Sequence, residues 1–348
     1  LPTAHFNSTL WTGDTSTYAD TRAITGVGHA PDLVWLKNSE YGSSNDLYDS
    51  VRGGNENLHS NSSDTETTNI DGGWIDSFDS DGFTLKIGGG GTSEWYDNLN
   101  GDQIVGWSWK AGGTASSNGD GSITSSVSAN TAAGFSIVSY TGTGSTATVG
   151  HGLSVAPELL IVKNRTDAGT AWQVGSDALT SWLYYITLNS TAAQNTNNQM
   201  WNSTVPTSSV FTVKDAGDVN TNTKNYIAYC FHSVEGYSKI GSYSGNSADD
   251  GVFIYTGFQP AWVLIKCHSG SSSQEWAMFD NKRSSYNLVD DYLYADTNAA
   301  EASGSDRELD FVSNGIKFRG PGGPINVSGR DYIYLAFAES PFKTSNAR

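Results

Sequence analysis

PDLVWLK (Pro31–Lys37), PELLIVK (Pro157–Lys163) and PAWVLIK (Pro260–Lys266) are one phrase written three times: a proline, an apolar run and a closing lysine. Proline lacks a backbone donor and fits the first residue of a strand. An apolar run without alternation fits a central strand covered on both faces.

Other elements recur around the phrase in constant order. NSTLWTG (Asn7–Gly13), FSIVSYTGTG (Phe135–Gly144) and SKIGSYSGN (Ser238–Asn246) precede it, each reading as a strand that runs into a Gly turn. LYDSVR (Leu47–Arg52), WQVGSDAL (Trp172–Leu179) and WAMFDNKR (Trp276–Arg283) follow it. Next come LHSNSSDTET (Leu58–Thr67), LNSTAAQNT (Leu188–Thr196) and LYADTNAAEA (Leu293–Ala302), then the hairpin-like FDSDGFTLKI (Phe78–Ile87), PTSSVFTVK (Pro206–Lys214) and FVSNGIKFR (Phe311–Arg319).

The last element, IVGWSWKA (Ile104–Ala111), YIAYCFHS (Tyr226–Ser233) and YIYLAFAE (Tyr332–Glu339), aligns without gaps. One alternating set is large: Val105/Ile227/Ile333, Trp107/Tyr229/Leu335 and Trp109/Phe231/Phe337. The other set is mostly small and includes Gly106/Ala228/Tyr334 and Ser108/Cys230/Ala336. Period-two alternation of this kind predicts a strand whose large side covers a core and whose small side lets a second layer approach.

No segment carries a helical period, and six or seven strands in about 100 residues is the size of a β-sandwich domain. The fold expected is therefore all-β, with three tandem β-sandwich domains of the jelly-roll or concanavalin-like kind at 1–113, 134–236 and 237–348. The stretch 114–133 lacks large residues and is expected as a Gly/Ser/Thr-rich linker.

The chain has 348 residues and a formal charge of −17 with no Lys/Arg cluster, so neither nucleic acid nor an anionic membrane is an expected partner. No apolar run reaches the ~18 residues of a membrane span. The two cysteines, Cys230 and Cys267, lie in strand-like runs and are expected as buried reduced thiols.

No catalytic residue is expected. A strand-borne Glu-x-Asp-x-Glu triplet, which would put acid, spacer and nucleophile on one face, is missing, and the nearest run, Asp64-Thr65-Glu66, sits in a polar loop. His29 and His151 occupy matching turns, with Gln259 in the third copy, and backbone-satisfied turn residues are favoured over ligands. No cofactor is expected. Asp76, Asp79 and Asp81 with Gly82 resemble half of a calcium loop, but the third copy writes VSNGIKF there, so an ordinary hairpin turn is favoured and these three remain the weak metal candidate.

Trp74, Trp95 and Tyr96 lie in polar, Gly-rich settings, with Asp97 and Asn98 beside the latter two. Aromatic faces flanked by Asp and Asn suit a sugar ring, so these five are the candidate ligand-binding residues.

GSITSSVSANTAAGFSIVSYTGTGSTATVGHGLSVAPELLIVKN (Gly121–Asn164), YIAYCFHSVEGYSKIGSYSGN (Tyr226–Asn246) and YIYLAFAESPF (Tyr332–Phe342) resemble the repeated β-sandwich region of virion surface proteins of marine bacteriophages, cyanophages among them. The resemblance implies a tail fibre or capsid-associated structural protein on the virion surface, assembled in the host cytoplasm. By analogy with lectins it implies glycan binding.

The expected function is non-enzymatic: loops presented for attachment to a host-surface glycan or envelope receptor. The partners expected are that receptor, other virion proteins and further copies of the chain, with a homotrimer favoured. A capsid decoration or fibre-building protein without receptor binding is the alternative, and a secreted carbohydrate-binding module the second.

Overall fold

The first segment forms β1 (Phe6–Thr12), β2 (Thr21–Thr25), β3 (Leu33–Asn38), β4 (Asp46–Asp49), β5 (Gly53–His59), β6 (Thr67–Thr68), β7 (Gly73–Asp79), β8 (Gly82–Ile87) and β9 (Gln103–Trp109). The second forms β10 (Ser116–Asn118), β11 (Ser125–Asn130), β12 (Phe135–Thr141), β13 (Ala147–Gly150), β14 (Leu159–Asn164), β15 (Gln173–Ser176), β16 (Tyr184–Thr187), β17 (Asn195–Thr196), β18 (Val210–Val213) and β19 (Asn225–Phe231). The third forms β20 (Ser238–Ser244), β21 (Phe253–Tyr255), β22 (Pro260–Cys267), β23 (Trp276–Asp280), β24 (Asp291–Tyr294), β25 (Ala302–Ser303), β26 (Leu309–Val312), β27 (Gly315–Phe318) and β28 (Asp331–Ala338). These come from a computed structural model that describes residues 5–14, 21–69, 72–87, 96–270 and 274–338.

The architecture is all-β and sandwich-like, built of antiparallel sheets none of which closes into a barrel. The described helices are the four-residue α1 (Asn198–Trp201) and α2 (Gly217–Asn220) and a 3-10 turn at Tyr96–Asn98, and none is long and apolar enough to cross a membrane.

Three large sheets share one strand order: β1-β9-β3-β4-β5-β6, then β12-β19-β14-β15-β16-β17, then β20-β28-β22-β23-β24-β25. The Pro-to-Lys phrase is β3, β14 and β22, internal to each sheet and buried at every residue. Pro260 opens β22, while Pro31 and Pro157 sit two residues ahead of their strands.

The stretch 114–133, expected as a linker, holds β10 and β11, and β11 pairs with β12 so that the second sheet runs on to eight strands. Backbone pairing rather than side-chain size makes these strands: Val127 sits opposite Val138, and Asn130 donates to the Lys110 carbonyl at 3.1 Å. Residues of purely linker-like composition thus tie the first segment to the second.

Each large sheet has two apolar faces. One packs on a small second layer of the same segment, β2-β8-β7, β13-β18 or β21-β27-β26, and encloses its own cluster. Cys230 and Ala336 lie in these inner clusters, as the small set of the closing strand requires, and Cys230 and Cys267 are both free thiols.

The other face carries the large set. Val105, Trp107, Trp109, Ile227, Tyr229, Phe231, Ile333, Leu335 and Phe337 all belong to one core that draws side chains from all three segments. At its centre Trp262 packs edge-on to Trp109 at 5.5 Å, and Phe337 stacks on Phe6 at 4.9 Å and meets Phe231 at 6.1 Å. A cavity of about 20 Å³, lined only by apolar area from all three segments, marks the middle. Its wholly apolar lining offers a water no hydrogen-bond partner.

Three sets of contacts bind the sheets in a cycle. The backbone N–H of Glu66 donates to the Arg165 carbonyl (3.1 Å), that of Gln194 to His268 (2.9 Å) and that of Glu301 to Ser39 (2.7 Å). First segment meets second, second meets third, and third meets first.

The indole N–H of Trp172 donates to the His59 carbonyl (2.8 Å), that of Trp276 to Thr187 (3.0 Å), and at the matching position the Asn45 amide donates to Tyr294 (3.1 Å). These acceptors hold one register position, because His59, Thr187 and Tyr294 pair with Asp46, Gln173 and Ala277.

The third set uses the large column itself. Tyr229 donates to Asp49 (2.8 Å) and Trp107 donates to Asp280 (3.2 Å), each acid being paired with an arginine three residues on, Arg52 or Arg283. In the remaining seam the column residue is Leu335, and the corresponding positions hold Ser176 and Leu179, with Leu179 and Leu335 both in the shared core. A polar ring faces a buried ion pair, and an apolar side chain faces none.

Trp262→Ala is expected to lower stability by about 3–5 kcal/mol in urea unfolding, the range for emptying an aromatic site in a core. A loss below about 1 kcal/mol would mean that the segments do not lean on one another.

Candidate functional site

Perturbed titratable groups often mark functional sites, but here three buried cations serve the structure. Lys37, Lys163 and Lys266, the lysines that end the repeated phrase, are fully buried. Lys37 donates to the carbonyls of Ser43 (2.7 Å) and, in the third segment, Asn298 (3.3 Å). Lys266 donates to Gln274 (2.6 Å) and, in the second segment, Ser190 (2.9 Å), and Lys163 donates to Asn164 and Thr170.

Each ammonium serves as a donor for the loop that leaves its strand. Burial lowers all three to about 8 from 10.5, with nearby acids partly offsetting it.

Below about pH 8 the folded and unfolded chains both carry these charges, and the folded chain bears their desolvation. Above it the folded chain sheds three protons that the unfolded chain keeps, so stability rises with pH, opposed in part from about pH 9 by the buried Cys230 and Cys267 thiols, which burial pushes up, and above pH 10 by the buried tyrosines. The urea midpoint is therefore expected to increase from pH 8 to pH 10, and Lys→Met at any of the three to flatten the slope. A flat or falling wild-type profile would contradict the burial of these charges. Asp49→Asn, which leaves the buried Arg52 with Glu66 as its remaining carboxylate, is expected to cost about 1.5–3 kcal/mol in the same assay at pH 7, the worth of a hydrogen bond to a charged group, and a cost under about 0.5 kcal/mol would contradict the ion pair.

Among the sequence candidates, Trp74 on β7 is half-buried and packs on the inner cluster of the first segment. Trp95 and the side chain of Tyr96 lie outside the described residues. Asp97 and Asn98 are fully buried. Asn98 accepts from Arg22 at 2.8 Å and donates to Asp14 at 3.2 Å, while Asp97 sits against Asp46 and within electrostatic reach of Lys37. The two polar residues expected to flank a sugar instead tie the loop to the sheet, because their backbone lies in a 3-10 turn packed on β3.

Asp79 and Asp81 flank the tip of the β7–β8 hairpin. Asp79 accepts from Ser77 (2.8 Å) and Thr84 (2.7 Å), and Asp81 accepts from the backbone of Gly26 (3.2 Å) and Gly28 (2.6 Å). Asp76 is exposed at a register shift between β7 and β8. No cluster of three or more His, Cys, Asp or Glu suited to a metal occurs among the described residues.

Glu66, from the nearest acidic run, bridges Arg52 (3.0 Å) and Arg165 (2.5 Å) across the first seam. His151 is buried and hydrogen-bonded to the Thr207 carbonyl (3.1 Å).

The loop between β23 and β24 of the third segment is much longer than its counterpart in the first and one residue longer than that of the second, which has the eight residues TSWLYYIT between Leu179 and Leu188. Between the buried Arg283 and Leu293 lie nine residues, SSYNLVDDY, where the first segment has only the five of GGNEN between Arg52 and Leu58. This loop, with Gln259, Asn281 and Phe311, lines a cleft of about 220 Å³.

Two clamps hold the loop. Ser284 donates to Asp291 at 2.8 Å, and Asn287 makes paired hydrogen bonds to the backbone of Phe311 (3.0 and 3.1 Å). Between them Tyr286 stands 87% exposed. The Asn281 Oδ1 is buried with no hydrogen-bond partner, and Gln259 takes the place that buried histidines hold in the other segments.

No charged side chain lines the cleft. Its chemistry is that of neutral donors and acceptors over an apolar floor of Val289 and Phe311, beside an open aromatic ring. The available sequence signal was weak, since the loop exceeds its counterpart in the second segment by one residue and has an ordinary composition.

The fold and this cleft define a sandwich-like all-β protein with a neutral polar cleft at one edge. The chain belongs to the family described as a domain of unknown function, DUF7483, whose model matches residues 1–341. No curated protein and no solved structure matches it.

Proposed function

We propose that this is a non-enzymatic virion surface protein of a bacteriophage, a tail fibre or appendage segment that presents loops for attachment to a host-surface glycan or envelope receptor. The reading rests on a contrast: the seams repeat from segment to segment, whereas the exposed loops diverge and gather aromatic residues in the third. Phe253, Tyr255, Tyr286 and Leu288 all lie there, half of the large apolar side chains exposed among the described residues. A scaffold that varies chiefly where it meets solvent suits recognition.

In finer terms the three sheets are three copies of one β-sandwich unit, fused about a common core. One family model running across all of them supports treating them as one body. Such a body holds its loops at fixed separation, and assembly into a homotrimer would multiply weak contacts. The acidic chain, free of Lys/Arg clusters, suits neither nucleic acid nor anionic lipid.

Phe253 and Tyr255 point outward from β21, at the edge of its sheet, and favour the second reading, a capsid decoration or fibre-building protein that packs against virion neighbours. Labelled protein titrated onto intact host cells separates the two. Saturable binding, displaced by unlabelled protein, is the expected result. No binding by folded protein would favour the structural role.

A further inference from the structure

We propose that the cleft between Gln259 and the β23–β24 loop holds one ring of an uncharged sugar, with the ring's C–H face on Tyr286 and its hydroxyls on Asn281 and Gln259. This rests on the attachment reading and names the ligand class its third segment takes.

Three observations carry it. The first is the buried Asn281 Oδ1, which lacks a partner. An unsatisfied buried acceptor is costly to leave unmade, and a ligand hydroxyl is a donor that relieves it. The Gln259 carboxamide beside it makes no hydrogen bond among the described residues.

The second is charge. An acidic or phosphorylated ligand needs a cation, and none lines this cleft. The one arginine close in sequence, Arg283, is turned away into its pair with Asp280 and Glu301.

The third is shape. At about 220 Å³ the cleft is below the roughly 300–1,000 Å³ of pockets for drug-sized ligands, so it takes one ring and leaves the rest of a chain in solvent. Tyr286 is held between the Ser284 and Asn287 clamps, so its ring is presented at little cost in loop entropy. An aromatic ring with an open face beside amides is what a molecule with one C–H face and a rim of hydroxyls requires.

The test is ligand-observed saturation-transfer NMR on the full chain with glucose, galactose, mannose and N-acetylglucosamine, and with N-acetylneuraminic acid as the charged control. At least one neutral sugar is expected to bind saturably, on the order of 1 mM, as a one-ring ligand allows. Tyr286→Ala and Asn281→Ala should each weaken it tenfold or more at an unchanged urea midpoint, and Tyr286→Phe should retain it.

Preference for the charged sugar, no binding of any neutral one, or an undiminished signal from Tyr286→Ala would overturn the assignment. Saturable cell binding without sugar binding removes the ligand class and leaves attachment standing. Sugar binding without cell binding does the reverse.

Discussion

One constraint organises the molecule: each large sheet is apolar on both faces, and its own segment can cover only one. The inner face meets a second layer of two or three strands. The outer face carries Trp107 and Trp109, Tyr229 and Phe231, or Leu335 and Phe337, and all of these are buried only because the other two sheets close over them. A segment standing alone would present that column to water. Sheets that must be covered twice need a partner protein or further sheets of the same chain, and here the chain's other two large sheets supply the cover.

Once three apolar faces converge, the polar groups at their borders must be satisfied without water. The cycle of contacts does this by matching seams position by position. A backbone donor from Glu66, Gln194 or Glu301 finds the carbonyl that follows the neighbouring central strand, and an indole or amide finds a second carbonyl. Where the column residue can donate, as Tyr229 and Trp107 do, the facing position holds an acid with its arginine. Where it is Leu335, the same positions are Ser176 and Leu179. Buried ion pairs are costly unless fully partnered, and their absence from the one seam without a polar ring follows that rule. One seam is thus set apart from the other two, which share the acid and its arginine.

Much of this was written in the sequence. The Pro-to-Lys phrase named the central strands, and the alternation in YIAYCFHS and its counterparts gave the side on which large residues gather. The rest depended on contacts between residues far apart in the chain. Lys37 and Lys266, two of the lysines that close the phrase, look like surface lysines until the neighbouring segment is in place. The strands in 114–133 were hidden because Ser, Gly and Asn carry little periodicity, and edge strands with small side chains are defined by backbone pairing. Asp97 and Asn98 read as loop residues facing solvent, yet they are buried beside Asp46 and Arg22 because a 3-10 turn folds them inward. The cleft at Tyr286 left little mark on the sequence: its loop is four residues longer than the first segment's but only one longer than the second's, and its composition is ordinary.

The central claim is that three sheets form one cooperative body about a shared core. Scanning calorimetry of the full chain tests it most directly. The account predicts a single transition whose calorimetric enthalpy equals the van't Hoff enthalpy, a ratio of about one. A ratio of roughly three, or resolved transitions that residues 114–236 expressed alone reproduce, would show independent domains and contradict it.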